Sequence, residues 1–337
     1  MIIDFRSDTV TKPGPAMLKA MINAKTGDDV FGEDPTINEL EKMAAGMFGM
    51  ESALFCPSGT MTNQIAIKCH TRPGDEVICD ESAHVYQYEG GGIAFNSSAS
   101  VKLLYGDRGR IKAEQVKAAI NPDDDHKPHS KLVCLENTSN RGGGSCYDLE
   151  EIKKIKQLCV QNNLSLHLDG ARLWNALIAK KETPKQFGEV FDSISICLSK
   201  GLGCPVGSVL LGKKEFIKRA RRIRKVFGGG MRQGGFIAAA GIYALENNIE
   251  RLEQDHAHAK QIGEVIAKRS MVNSVLPVET NIIIFETANI PAQSIVDKLK
   301  EKHILCYATA PGRVRFVVHL DITPEMVDKT IQIIKNF

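Results

Sequence analysis

The sequence predicts an α/β protein with a mostly parallel sheet, followed by a small C-terminal α+β domain. Three observations carry that prediction. Short apolar runs alternate with amphipathic stretches over most of the 337 residues, as strands do when crossover helices connect them. Two of the runs end in an acid or a lysine followed by glycine, which suits strands of an open sheet ending at a ligand crevice. Beyond about residue 248 the texture changes to a long amphipathic helix and then a β-α-β-α order.

Taken in chain order, residues 1–15, with Thr9, Thr11, Pro13 and Pro15, read as an extended strap. Residues 16–248 form the predicted large domain, with strands at Glu76–Cys79, Leu132–Leu135, Leu164–Leu168, Ser193–Cys197 and Gly207–Leu211. Between them, Asp148 to Asn162 carries apolar residues at 149, 152, 155, 158 and 159, a helical spacing. Residues 249–337 form the predicted small domain. Its first helix bears Ile249, Leu252, Ala259, Ile262, Val265 and Ile266 on one side. A strand at Asn281–Phe285, a helix at Ala292–His303, a strand at Val314–His319 and a helix from Pro324 follow.

Composition narrows the function. Hydrophobic residues are 43% and charged residues 25%, ordinary for a globular protein and unlike a disordered or fibrous one. The net charge of +3 is too small for a general nucleic-acid binder. The basic run from Lys213 to Lys225 has one acid, Glu215, but Phe216, Ile217, Ala220 and Ile223 give it a buried side. It reads as a solvated helix face, so no nucleic-acid partner is expected. No apolar run approaches the roughly 18 residues of a membrane span, and the N-terminus lacks the layout of a signal peptide. Nine cysteines without a C-x-x-C pair suggest reduced thiols and a cytoplasmic location. His256 and His258 stand two apart on a helix, point to different faces and read as exposed. No metal is expected.

Three segments suggest chemistry. Leu166-His167-Leu168-Asp169-Gly170-Ala171-Arg172 takes an apolar strand to an acid, a glycine and a cation. Alone, that reads better as a helix-capping aspartate and a surface arginine. Lys200 directly follows Ile196-Cys197-Leu198-Ser199, and a lysine beside a buried strand either snorkels to solvent or serves as an amine nucleophile. Ser58, Gly59 and Thr60 open an apolar helix, where free N–H groups and the dipole favour an anion. A phosphate cup, a strand-end acid and a strand-end lysine are together the parts that hold pyridoxal phosphate.

Further blocks run the length of the chain: Phe5-Arg6-Ser7-Asp8-Thr9-Val10-Thr11, Gly27-Asp28-Asp29-Val30-Phe31-Gly32-Glu33-Asp34-Pro35, Cys197 to Gly203, Gly228-Gly229-Gly230-Met231-Arg232-Gln233 and Val314 to His319. With these, the chain resembles the low-specificity threonine aldolases, pyridoxal-phosphate enzymes of the aspartate-aminotransferase group (fold type I). The resemblance implies retro-aldol cleavage of threonine or allo-threonine to glycine and acetaldehyde. It implies Lys200 as the Schiff-base lysine, Asp169 against the pyridine nitrogen, Ser58, Gly59 and Thr60 at the phosphate, and His84 stacked on the ring. Ser7, Arg172 and Arg315 would hold the substrate carboxylate, with Arg172 also near the cofactor. Lys225 and Arg232 would reach the cofactor region from a neighbouring subunit of a homotetramer, and Tyr88 would stand near the substrate side chain. The base is implied to be His84, directly or through a water shared with His126, or else His84 only positions the cofactor. Where the family often reads Glu-Asn-Thr-His-Asn, this chain has Glu136-Asn137-Thr138-Ser139-Asn140. The same fold also serves β-eliminating lyases, racemases and aminotransferases, which remain alternatives.

Overall fold

The computed structural model describes residues 1–336. After a short first strand, β1 (Ile3–Asp4), come the seven strands of the central sheet: β2 (Ser52–Cys56), β3 (Glu76–Asp80), β4 (Ser100–Leu104), β5 (Ser130–Glu136), β6 (Ser165–Gly170), β7 (Ser193–Cys197) and β8 (Ser208–Gly212). Their spatial order is β2-β8-β7-β6-β5-β3-β4. Within this sheet β8 alone runs opposite to the other six strands. Strands β3, β7 and β8 are buried along their whole length, because helices cover both faces of a parallel sheet. That burial explains why they are near-continuous apolar runs.

The predicted helix at 148–162 spans Leu149–Gln161, with Asp148 capping the Glu150 and Glu151 N–H groups. Beyond the central sheet follow β9 (Val272–Val275), β10 (Ile282–Thr287), β11 (Ile304–Leu305), β12 (Tyr307–Ala310) and β13 (Arg313–Val317). A four-stranded antiparallel sheet, β12-β13-β10-β9, packs with helices Leu252–Ile266, Ala292–Glu301 and Pro324–Lys335 around a second core. The start of the chain belongs to that core. β1 pairs parallel with β11, and Phe5 stacks on Phe316 at 5.0 Å.

The Gly27–Pro35 block is an anchored loop. Asp34 caps the helix Pro35–Phe48 through Oδ1, while its Oδ2 accepts the Gly235 N–H at 2.9 Å. Asp29 is buried and receives Arg224 at 2.5 Å and Arg221 at 3.3 Å. Arg224, itself 2% exposed, also donates to the Phe55 carbonyl at 2.6 Å. The basic helix Lys214–Val226 therefore turns part of its charge inward. Two histidines differ from their predicted exposure. His258 is buried, and half-buried His256 bonds Asn175 at 3.0 Å. The helix Leu252–Ile266 is covered on more than one face, so a two-residue offset does not free either ring. All nine cysteines are buried and unpaired.

Replacing Asp29 with Asn should leave Arg224 buried without its counter-ion and lower stability by about 3–5 kcal/mol. Asp123→Asn, on an exposed side chain, should stay within about 0.5 kcal/mol of the parent. Urea unfolding of the two variants checks both values.

Candidate active site

The parallel strands β5, β6 and β7 end at one edge of the sheet, and the site lies beyond them. Asp169 is the penultimate residue of β6 and almost fully buried. Its Oδ1 accepts the Ala171 N–H at 3.1 Å, while Oδ2 is buried without a partner. Gly170 is required next, because a Cβ there would stand 2.5 Å from the Ser195 carbonyl oxygen of the adjoining strand. Lys200 follows β7. It is half-buried, and its Nζ forms no ion pair or hydrogen bond among the described residues.

Ser58 caps the helix Gly59–His70, its Oγ accepting the Met61 N–H at 3.2 Å. The Gly59 and Thr60 N–H groups are left for an anion. The Ser208 hydroxyl lies beside this turn, buried without a partner and 3.4 Å from where a Gly59 Cβ would be. The glycine loop 228–230 closes on the same turn, since a Cβ on Gly229 would meet the Met61 sulfur. Lys225 and Arg232 are exposed on this rim, with Arg232 paired to Asp28 at 2.9 Å.

The strap delivers two groups. Asp8, fully buried, takes Arg172 in a bidentate pair, Nε to Oδ2 and Nη2 to Oδ1, both 2.7 Å. Burial alone would raise the Asp8 pKa, but Arg172, with Lys200 and His319, holds it down at about 2. Two of the three Arg172 nitrogens are thus spent on Asp8, a residue to which the sequence reading assigned no role. Ser7 stands next to it and caps the following turn through Thr9.

Arg315 arrives from β13. Nη1 donates to Asn140 Oδ1 at 2.9 Å and Nη2 to the Arg6 carbonyl at 3.0 Å, whereas Nε is buried without a partner. No carboxylate pairs with it among the described residues. Burial, with the like charge of Arg172, lowers its pKa to about 10. A half-buried cation lacking a counter-ion suits an anionic group.

His84 opens a short helix after β3. Its backbone N–H donates to Glu136 Oε2 at 3.0 Å, and its ring Nδ1 meets Glu89 Oε1 at 3.0 Å. Burial opposes the imidazolium, but the Glu89 hydrogen bond and the charges of Asp169, Glu89 and Glu136 outweigh it and raise the pKa. Glu136 itself is pushed up to about 7 by burial and by Asp169. The Tyr88 ring lies 5.7 Å from that of His84. In the altered segment, Ser139 turns its Oγ to the Gly142 N–H at 3.2 Å, while Asn140 links Glu136 to Arg315.

His126 does not join this group within the chain. It lies before the start of β5, about 20 Å of strand from Glu136, with its side chain 91% exposed and bonded to Asp124. The polar Asp123–His129 loop keeps it at the opposite edge of the sheet. Asp8, Glu89, Glu136 and Asn140 are the site residues that the sequence reading left without a role. The strap motif and the acid five residues after His84 were the available signals.

The unsatisfied groups fit one cofactor. Asp169 Oδ2 suits a protonated pyridine nitrogen, Lys200 Nζ an aldehyde carbon, and the Ser58–Thr60 turn a phosphate. Together with the fold, they define the class: a pyridoxal-phosphate enzyme of fold type I. Residues 4–289 match the family model described as beta-eliminating lyase. The chain belongs to that family, and within it to the low-specificity L-threonine aldolases. It is 42% identical to the low specificity L-threonine aldolase of Escherichia coli K12, over 97% of this chain and 96% of that one. It is also 42% identical to a probable low-specificity L-threonine aldolase 2 of Arabidopsis thaliana, over 95% and 93%. A solved structure of Leishmania major threonine aldolase, 20% identical, superposes with a TM-score of 0.88 over 99% of both chains.

The Asp8 pKa lies below the unfolded value of about 3.9, so its contribution to stability is present above pH 4 and lost as pH falls toward 2. Asp8→Asn should therefore lower the urea midpoint at pH 6, and the gap to the parent should narrow between pH 4 and pH 2.

Proposed function

We propose that this chain is a pyridoxal-phosphate-dependent aldolase that cleaves L-threonine and L-allo-threonine to glycine and acetaldehyde. The observation that carries it is Arg315, a half-buried guanidinium with a buried, unpartnered Nε and no carboxylate among the described residues, at the edge where Asp169 and Lys200 also present free atoms. An α-amino acid carboxylate is the anion that such a fork suits.

In this reading Arg315 and Ser7 hold the carboxylate, with Arg172 contributing its remaining Nη1. Held there, the Cα–Cβ bond is presented to the cofactor in one orientation. His84 accepts the β-hydroxyl proton at Nε2 as the bond breaks. Pyridoxal phosphate, when bound, supplies the sink for the electrons left at Cα. Asp169 keeps the pyridine nitrogen protonated, and Lys200 Nζ anchors the cofactor. Tyr88 lines the side-chain end, where departing acetaldehyde leaves. The alternatives on the same fold, β-elimination, racemisation or transamination, would give ammonia and a keto acid, the enantiomer, or an exchanged amino group.

His126 enters such a site only from another subunit, as do Lys225 and Arg232 in the tetrameric reading. Exposed Ile22, Phe31 and Val226 support an oligomer, and we assign a homotetramer. Two separate cores support the division into large domain 16–248 and small domain 249–337, with the strap 1–15 packing Ile3 and Phe5 into the second core. Nine unpaired cysteines support a cytoplasmic location. No described helix is long and apolar enough to cross a membrane.

Purified protein loaded with cofactor should release acetaldehyde and glycine in equal amounts from L-threonine and from L-allo-threonine. Ammonia and a keto acid instead would select an eliminating lyase. Lys200→Ala should lose the visible absorbance of the bound cofactor together with turnover. His84→Asn should keep the absorbance and lose roughly 10²–10⁴-fold in kcat. Light scattering should give four times the 37.0 kDa chain mass.

A further inference from the structure

We propose that Glu89 is the positioning residue for His84, fixing the imidazole with Nδ1–H toward the carboxylate and Nε2 open to the substrate. The inference rests on the aldolase reading of the site and deepens it.

Glu89 is buried, and no lysine or arginine pairs with it among the described residues. Three N–H groups converge on it instead. Oε1 receives Asn63 Nδ2 at 2.9 Å and His84 Nδ1 at 3.0 Å, and Oε2 receives Gln64 Nε2 at 2.6 Å. A carboxylate only accepts, so His84 must carry its proton on Nδ1 and leave the Nε2 lone pair free. Among the described residues Nε2 has no hydrogen-bond partner, and the side chain is 30% exposed.

Asn63 is also tied to a chain of hydrogen bonds running back through the sheet. Asn63 Oδ1 meets His167 Nε2 at 3.1 Å, His167 Nδ1 meets Ser193 Oγ at 2.8 Å, and Ser193 Oγ meets His70 Nε2 at 2.8 Å. Because Asn63 gives its N–H to Glu89, its carbonyl must accept from His167 Nε2–H. His167 Nδ1 then accepts the Ser193 hydroxyl, whose oxygen accepts His70 Nε2–H. Burial lowers the His167 pKa to about 3 and that of His70 to about 4, so each ring is neutral with one N–H, as the chain requires. Reversing one link would set two donors face to face in the interior, which costs the desolvation of both. The chain orients and does not conduct, because the Asn63 amide neither gains nor loses a proton readily.

The same helix carries the phosphate turn at its N-terminus and Asn63 and Gln64 one turn later, so the cofactor seat and the histidine clamp share one rigid element. His84, Glu89 and Asp169 offer atoms within 4.8 Å of one another. Each Glu89 oxygen already accepts an amide N–H, however, and this is the donor set of an oriented dyad. The charged and titratable groups facing His84 are Glu89, Asp169 from β6, Glu136 from β5 and the Tyr88 phenol.

Glu89→Gln replaces one acceptor by an NH₂ that opposes the Asn63, Gln64 or His84 donor. In the holoenzyme it should lower kcat roughly 10–100-fold with KM for L-threonine changed less than about threefold. Removing the charge disfavours the imidazolium, so the acidic limb of the kcat profile should move to lower pH. Glu89→Asp should recover part of the loss. ¹⁵N NMR of histidine-labelled protein should show His84 as one Nδ1–H tautomer in the parent and a mixture in Glu89→Gln. Unchanged kcat, acidic limb and ¹⁵N shifts in that variant, with only a lower thermal midpoint, would overturn the proposal and make Glu89 a brace. Full turnover in His84→Asn would overturn the base role in the aldolase reading, whereas the ¹⁵N shifts test the Glu89 contact separately.

Discussion

The buried pair between Asp8 and Arg172 holds three parts of the molecule to one another. Asp8 comes from the strap, Arg172 from the turn after β6, and Asn281 of the small domain reaches Asp8 Oδ2 at 3.4 Å. Two charges taken out of water are favourable only when both are fully bonded, and here the fork meets the carboxylate at two points. The strap cannot lift away without leaving Arg172 unpaired in the interior. Once fixed, the strap presents Ser7 to the site and the Arg6 carbonyl to Arg315. The placement of Arg315 therefore depends on an ion pair that spends most of one arginine to place another.

Behind this clamp the site separates its carboxylates by environment. Asp169 keeps one buried oxygen bare. Glu136 accepts the Asn140 and His84 backbone N–H groups and is pushed up to about 7. Glu89 is covered by side-chain donors and faces the histidine ring. Three buried acids near one imidazole would repel one another if equally charged. Different hydrogen-bond sets allow them separate roles.

Much of this was legible in the sequence for a physical reason. Strands buried on both faces must be apolar throughout, so β3, β5, β6, β7 and β8 stood out, and Asp169 and Lys200 were conspicuous as polar residues directly after such runs. β2 and β4 were missed. β2 is a five-residue stretch between two helices, and β4 is an edge strand with Lys102 exposed and no fully buried residue. Asp8 and Glu89, two of the site residues left without a role, have partners distant in sequence. Asp8 and Arg172 are 164 residues apart, and Glu89 meets Asn63 across 26. Local spacing cannot announce such pairs. His126 illustrates the converse, since the resemblance brought it into the site whereas the chain holds it at the other edge of the sheet.

The dependence of the proposed carboxylate receptor on the strap is tested most directly by glycine binding to Asp8→Asn holoenzyme, followed by spectral titration at pH 7. If the ion pair positions Arg315 through the strap, the cofactor stays bound and the Kd for glycine rises roughly tenfold or more, since small misplacements are costly in an oriented site. Glycine affinity equal to that of the parent protein, with stability alone reduced, would contradict the account.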